Sequence, residues 1–411
     1  MPIKWKARSG LNPQAILDKI ENAKSVSADG RVSYSAFDYH EAFASIFSLL
    51  DIPKAISSEL DVDALVSKGL GRAAKAGVLT KESVIRCLNE AANNELATSE
   101  RRYHLLTSLS MDNSLPFRRL SYRTVQARVV GDKYPKKYGS RREAIKFGGK
   151  GFSLEHKGYI KLIVSTKAKS VHGAASKALN GLDVIRALLS LFSNSSMELM
   201  GDKYAPINKI RTGQVHTLHS DAGGPATEIF WFEPNFVQAK PYRHRAPAVL
   251  KKNFNWSMGR LIASSYRGAI EEALLRYVRA LDEKDQNSAA IRLWGALECL
   301  ASPGEARYDN IVKRCSFLFA EDDYHRQILE HLREFRNRSI HSGDQGEKAK
   351  TFCYQMQFYL RRLVLFHFHR VGNFASLDEA NSFLDMPADG AVLSRQRRLI
   401  EMAMKFRNVE D

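Results

Sequence analysis

The chain has 411 residues, 44% of them hydrophobic and 26% charged, longer than one core of ordinary size fills and apolar enough to build two or three. Apolar runs such as 185–192 are too short to cross a bilayer, and MPIKWKARSG leads into no apolar leader core, so a membrane span and secretion are not expected and a cytoplasmic location is. Four scattered cysteines (Cys87, Cys299, Cys315, Cys353) form no CxxC pair, which speaks against a zinc ribbon or a disulfide framework and for reduced thiols.

The formal charge is +17, and it is concentrated. Residues 101–170 carry 17 Lys and Arg against four Asp and Glu, a local excess of +13, whereas 1–100 sum to −1, 171–250 to +2 and 251–411 to +3. A cluster this local has the footprint of a phosphate-backbone contact, although a solvated basic face also carries such a charge.

In chain order, residues 1–110 predict a helical N-terminal region suited to regulation or docking. Segments 13–23, 35–50, 62–73 and 80–92 repeat apolar residues at three- and four-residue spacing. Residues 111–245 predict a basic α+β domain. YRTVQARVV (122–130), YIKLIVST (159–166) and EIFWFE (228–233) are β-branched and aromatic over strand-like lengths, and 172–192 reads as one long amphipathic helix. Between the first two strands, GDKYPKKYGSRREAIKFGGKG (131–151) combines seven Lys and Arg with two Tyr and one Phe. Lys133, Lys136, Lys137, Arg141, Arg142 and Lys146 are the candidate phosphate contacts, with the rings stacking on bases. A long loop without secondary structure is expected there.

Residues 250–411 predict a helical bundle with helices at 256–282, 287–301, 309–319, 322–340 and 346–374 and a tail helix at 391–406. Short breaks such as SPG (302–304) favour antiparallel neighbours. The fold class is therefore mostly α, with a small α+β domain in the middle.

An arginine five residues before a histidine occurs four times. Arg211/His216 lies in a Thr-Gly-Gln loop and reads as a surface pair. Arg326/His331 falls mid-helix, and its arginine lacks a polar partner beside it of the kind Asn337 makes for Arg336. Arg362/His367 sits in RRLVLFHFHR, whose aromatic density suits a core or an interface. Arg336/His341 differs: Asn337 stands four residues before His341, so on a helix the two share a face within reach of the guanidinium. Ser342-Gly343 then suits a left-handed cap, which delivers the histidine at a helix end where the dipole favours its cation.

The string RNRSIH (336–341) resembles the RNxxxH form of the Arg-x(4–6)-His signature of HEPN domains. Its place late in the fourth helix of a five-helix bundle is similar too, and RLWGALECLAS (292–302) resembles the Trp/Leu/Glu helix of the Apea-like HEPN proteins of bacterial antiphage systems. The resemblance covers roughly 255–372. It implies RNA cleavage by the substrate's own 2′-hydroxyl, with Arg336, Asn337 and His341 catalytic and Glu298 pointing toward them. It also implies a toxin or antiphage effector that acts on RNA, transfer RNA included, assembles as a homodimer or higher oligomer and answers to a phage or host trigger.

The residue types suit that chemistry independently. Imidazole exchanges a proton near neutrality, a guanidinium presents fixed donors to charge developing on phosphorus, and an amide orients either. No HExxH is present, and neither the lone Asp-x-Asp at 61–63 nor any other group of carboxylates forms a pair or tight cluster that would organise two metals around a phosphate, so neither a metal nor another cofactor is expected. The alternatives are a non-catalytic HEPN-like module that binds a nucleic acid or protein and dimerises, and a DNA-binding regulator, for which the chain offers no convincing helix-turn-helix. In the first alternative Glu298 is a structural carboxylate and Arg336/His341 a hydrogen-bonded helix end.

Overall fold

The computed structural model describes residues 2–408 except 9, 29–30, 113–114, 132, 146–150, 195–196, 198–203, 305–307 and 342–347; the side chains of Ala36, Asp38, Ala144, Tyr308 and His341 are also outside the description. The N-terminal region has a core of its own, in which Leu17, Ile20, Ile46, Leu60, Val66, Leu70, Val84 and Leu88 are buried. It contains β1 (Lys4–Trp5), α1 (Pro13–Asn22), β2 (Lys24–Val26), β3 (Val32–Tyr34), α2 (Ala36–Leu49), β4 (Leu50–Asp51), α3 (Lys54–Ser57), α4 (Val62–Ala76) and α5 (Lys81–Leu96). Asp61 caps α4 by accepting from the Ala64 amide, and Thr80 with Ser83 forms a capping box on α5. Both caps satisfy amides that a helix start leaves bare.

The helical pattern stops at Leu96, earlier than the sequence suggested. Arg101–Leu109 (β5) is a strand, and it lies inside the sheet of the next region. That sheet is six-stranded and antiparallel, adding β6 (Arg119–Tyr122), β7 (Val125–Val130), β8 (Ile160–Ala168), β9 (Val215–Ser220) and β10 (Trp231–Phe232) in the order β10-β9-β5-β8-β7-β6. The single strand expected over 122–130 is thus the second arm of a hairpin, turned at Arg123 (φ 51°). Of 228–233 only two residues pair.

Helix α6 (Val171–Ser193) lies across this sheet. Gly181 permits the close approach, since a Cβ there would meet the Val125 methyl at 2.5 Å. The other side of α6 packs on α7 (Pro247–Ala263) and α8 (Arg267–Leu281). The expected single helix over 256–282 is therefore two, broken at 264–266. α9 (Gln286–Ala301), α10 (Tyr308–Ser316), α11 (Asp322–His341), α12 (Ala349–His369) and α13 (Leu377–Leu384) complete the bundle. One continuous core joins sheet, α6 and bundle, so the boundary expected near 245–250 separates no two cores.

A buried polar tie crosses the same seam. Arg186 of α6 donates to Asp183 (2.7 Å) and to Asp282 (2.8 Å) after α8, and Asn208 donates to Asp282 (2.8 Å). α12 is largely an interior helix, with Phe352, Met356, Tyr359, Leu363, His367 and Phe368 buried in the core and Phe358 exposed. The tail helix α14 (Gly390–Arg407) buries none of its side chains. No helix among the described residues is long and apolar enough to cross a membrane.

Candidate functional site

α9 and α11 pack side by side because each turns an apolar stripe inward: Leu293, Leu297 and Leu300 from α9, and Leu329, Leu332 and Phe335 from α11. The residue after Phe335 therefore faces the edge of that contact. Arg336 is half-buried there, its side chain 15% exposed, and its Nη2 lies 3.6 Å from Oε1 of Glu298 on α9. Its Nη1 donates to Oδ1 of Asn337 at 3.2 Å. The guanidinium is consequently held from two directions. Glu298 lies beside Arg336, the direction in which the resemblance pointed it.

The surroundings of Glu298 are instructive. Burial pushes its carboxyl above the ordinary range, against the opposing pull of Arg336, the Trp294 N–H and Arg276. In the balance the anion is disfavoured, so the Arg336–Glu298 pair is not a source of stability. His341 is the last residue of α11 and stands four residues after Asn337, one turn along the same helix. Its side chain and the cap expected from Ser342-Gly343 lie outside the described residues. Arg338 is exposed and Ser339 half-buried.

The other three arginine–histidine pairs are accounted for separately. His216 is not a surface group: it is buried on β9, its Nδ1 2.7 Å from Thr107 Oγ1 and its Nε2 3.0 Å from Glu233 Oε1. Burial opposes the Glu233 carboxylate, but the His216 hydrogen bond and the charges of His216 and Arg186 hold it down at about 2. This Thr–His–Glu chain resembles a nucleophile triad in composition only, because Thr107 and His216 are sealed inside the sheet. Arg326 pairs with Asp322 at 3.6 Å, while the His331 ring packs edge-on against Phe352. His367 is buried, bonded through Nδ1 to Tyr266 Oη at 3.1 Å, and burial lowers its pKa to about 3.

The basic segment is more ordered than its composition suggested. Lys136–Ile145 is a 3-10 helix with a kink at Tyr138, laid on the sheet. Lys133, Lys136, Lys137 and Arg142 are exposed; Lys137 Nζ donates to the Asp221 carbonyl at 2.9 Å, and Lys146 lies outside the described residues. Arg141 is the correction. It is only 5% exposed and donates to Thr217 Oγ1 and the Val215 carbonyl, both at 3.2 Å, with its guanidinium 4.7 Å from the centre of the Tyr134 ring. A cation so enclosed anchors the segment and is withdrawn from phosphates.

The two tyrosine rings are withdrawn too, while Phe147 lies outside the described residues. Tyr138 is buried between His104 and His219, and Tyr134 donates its hydroxyl to the Thr107 carbonyl at 2.6 Å. Sequence reasoning missed this polar sheet face, where His104, Thr217 and His219 lie under the segment. Its strand is VHTLHS (215–220), which the sequence leaves unassigned beside the loop at 211–216, because its apolar Val215 and Leu218 do not alternate.

No family model matches the chain, and neither a curated protein nor a solved structure is similar to it. Among the described residues no group of three or more His, Cys, Asp or Glu side chains is arranged to hold a metal.

Proposed function

We propose that the C-terminal helices are a HEPN-like, metal-independent endoribonuclease whose site is Arg336, Asn337 and His341, with Glu298 as the positioning residue. The observation that carries this reading is the two-sided hold on Arg336. A helix-edge guanidinium is fixed by a half-buried carboxylate whose anion burial disfavours even with the guanidinium beside it, and by the amide that follows it, one turn before a histidine. Buried polar arrangements that cost stability are a recurring mark of functional sites.

In the reaction, the 2′-oxygen of the substrate forms a bond to the adjacent phosphorus as its proton passes to an imidazole. The phosphorus–O5′ bond breaks, and a protonated imidazole supplies the proton to the departing 5′-oxygen. The products are a 2′,3′-cyclic phosphate and a 5′-hydroxyl. Arg336 places its donors against the phosphorane charge, a role for which a planar fork fits better than an ammonium, and Asn337 keeps that fork oriented. One histidine per chain serves poorly as base and acid in a single turnover, so the working unit is a two-fold dimer in which each copy supplies one. In this proposal the protein is a cytoplasmic toxin or antiphage effector, restrained until a phage or host trigger engages the rest of the chain.

The test is incubation of the purified protein with total RNA in excess EDTA, with His341→Ala and Arg336→Ala as controls, followed by sequencing of the ends and light scattering of the active form. Cyclic-phosphate ends that both variants abolish, from a dimer, are the expected result. Cleavage retained in His341→Ala, or strict dependence on a divalent ion, refutes the mechanism; a fully active monomer refutes the two-copy site. The competing reading, a non-catalytic module in which Arg336–Glu298 merely ties α9 to α11, requires that the wild type leave RNA intact.

A further inference from the structure

A cavity of about 290 Å³ opens at the other end of α11 from Arg336, where α6, α8, α11 and α12 meet. It is ring-lined: Tyr277, Tyr324, His325 and Phe358 contribute to its wall. Among the described residues no Asp or Glu lines it, and the one arginine of its wall is Arg361. That residue is half-buried, its Nε is buried with no hydrogen-bond partner, and no carboxylate among the described residues lies within ion-pair distance of it. Burial, together with neighbouring Arg362, pulls the guanidinium down from its ordinary value. Gln355, also on the wall, has a buried Oε1 that accepts from nothing.

These two orphaned groups are complementary to one kind of guest. A desolvated cation without an acid is costly, and the described residues offer no compensating partner. A single guanidinium fork matches one carboxylate in bidentate fashion, whereas a phosphate dianion needs further donors. Several other polar groups of the wall are committed among themselves: Tyr277 Oη donates to Gln357 Oε1 (3.2 Å), Gln357 Nε2 to the Asn194 carbonyl (2.7 Å), and His325 Nδ1 lies 2.9 Å from Tyr359 Oη. Burial lowers the His325 pKa, so that ring adds no second cation. The rings favour a planar aromatic body, and the free Gln355 Oε1 calls for an N–H or O–H on it. The volume stands at the small end of ligand sites, which begin at roughly 300 Å³.

We propose that this cavity is a binding site for a small aromatic carboxylate carrying a ring N–H or hydroxyl, held by Arg361 at its acid and by Gln355 at its ring donor. The proposal stands apart from RNA cleavage and is tested by binding alone.

Calorimetric titration of the full chain uses indole-3-acetate and 4-hydroxyphenylacetate, with indole-3-acetamide and adenosine monophosphate as comparators. The expected result is submillimolar binding of at least one acid, at least tenfold weaker binding of the amide, and an at least tenfold loss in Arg361→Met and in Gln355→Leu. Arg361→Met is also expected to melt no lower than wild type, since a near-isosteric apolar chain replaces an uncompensated cation. If that variant fails to fold, Arg361→Lys, which keeps the charge and loses the fork, and the acid–amide comparison on wild type decide. Absence of binding by both acids, an amide as tight as its acid, unchanged affinity in a folded Arg361 variant, or tighter binding of adenosine monophosphate than of either acid overturns the proposal.

Discussion

The Arg336–Glu298 contact makes a quantitative demand on stability. At 3.6 Å and an effective dielectric of about 20, the gross attraction is at most about 5 kcal/mol, yet burial still leaves the Glu298 anion disfavoured. Desolvation therefore exceeds the attraction, and Glu298→Gln alone is expected to change stability at pH 7 by no more than about 1 kcal/mol, or to raise it. Arg336→Ala strands the carboxylate and is expected to cost about 1–3 kcal/mol, below the roughly 3–5 of a fully buried broken pair because Glu298 can take up a proton. In the double variant most of that cost disappears, a coupling of about 1–2 kcal/mol.

The pH dependence follows in sign. Burial already sets the native Glu298 pKa above its unfolded value, and loss of Arg336 raises it further. The native state then holds more protons than the unfolded chain over that interval, so stability falls as pH rises through it. The Arg336→Ala deficit is accordingly smallest near the ordinary glutamate value of 4.5 and largest above the native one. Urea denaturation of the four proteins between pH 4.5 and 8 measures all of this. A Glu298→Gln loss above about 1 kcal/mol at pH 7, or coupling below about 0.5 kcal/mol, would show that the carboxylate is there for stability and refute the argument for a positioning role.

Two further outcomes are expected. Replacing the exposed Lys133, Lys136, Lys137 and Arg142 by Ala is expected to weaken RNA binding and reduce the salt slope by up to about three, at roughly 0.7 per phosphate on a single strand; RNA affinity unchanged across a salt titration would reject the segment as a phosphate contact. His367, neutral in the fold with its pKa at about 3 against an ordinary 6.5, lets the unfolded chain bind the extra proton between those values. Stability should thus fall as pH drops from 6.5 toward 3, by up to about 1.4 kcal/mol per unit, and His367→Leu should flatten that slope in urea melts at pH 7 and 4.5; an unaltered slope would place the protonation elsewhere.

Where periodicity alone forms an element, the chain announces it. α1, α2, α4 and α5 fall close to their expected spans, and α9, α11 and α14 end within about two residues of theirs. Strands failed where polar residues interrupted the pattern. β5 reads RRYHLLTSL; its Ser108 is buried, and its His104 and Thr107 are buried on hydrogen bonds that no local rule anticipates. The break between α7 and α8 was hidden for the opposite reason: Ser264-Ser265-Tyr266 contains neither Gly nor Pro, and the turn is fixed by tertiary partners such as the Ser265 hydroxyl on the Phe374 carbonyl (3.0 Å).

Charge was legible as a total and illegible as an arrangement. Arg141 and Arg142 are adjacent and chemically identical, yet one is enclosed by Thr217, Val215 and Tyr134 while its neighbour is exposed; in a 3-10 turn, successive side chains diverge by about a third of a revolution. The same holds at the candidate site. Four arginine–histidine pairs share one spacing, and what separates Arg336 from Arg326 is the element packed beside it: Arg326 meets Asp322 of its own helix, whereas Arg336 meets Glu298 of another. Spacing within a helix can nominate a guanidinium, but only a second helix can hold it still. Helix α9 can do so because its Leu293, Leu297 and Leu300 are fastened into a core that runs unbroken through α8 and α6 to the sheet. The position of one guanidinium is thereby tied to residues more than a hundred positions upstream, which is why a short motif could name the residues of the site without revealing the structure that fixes them.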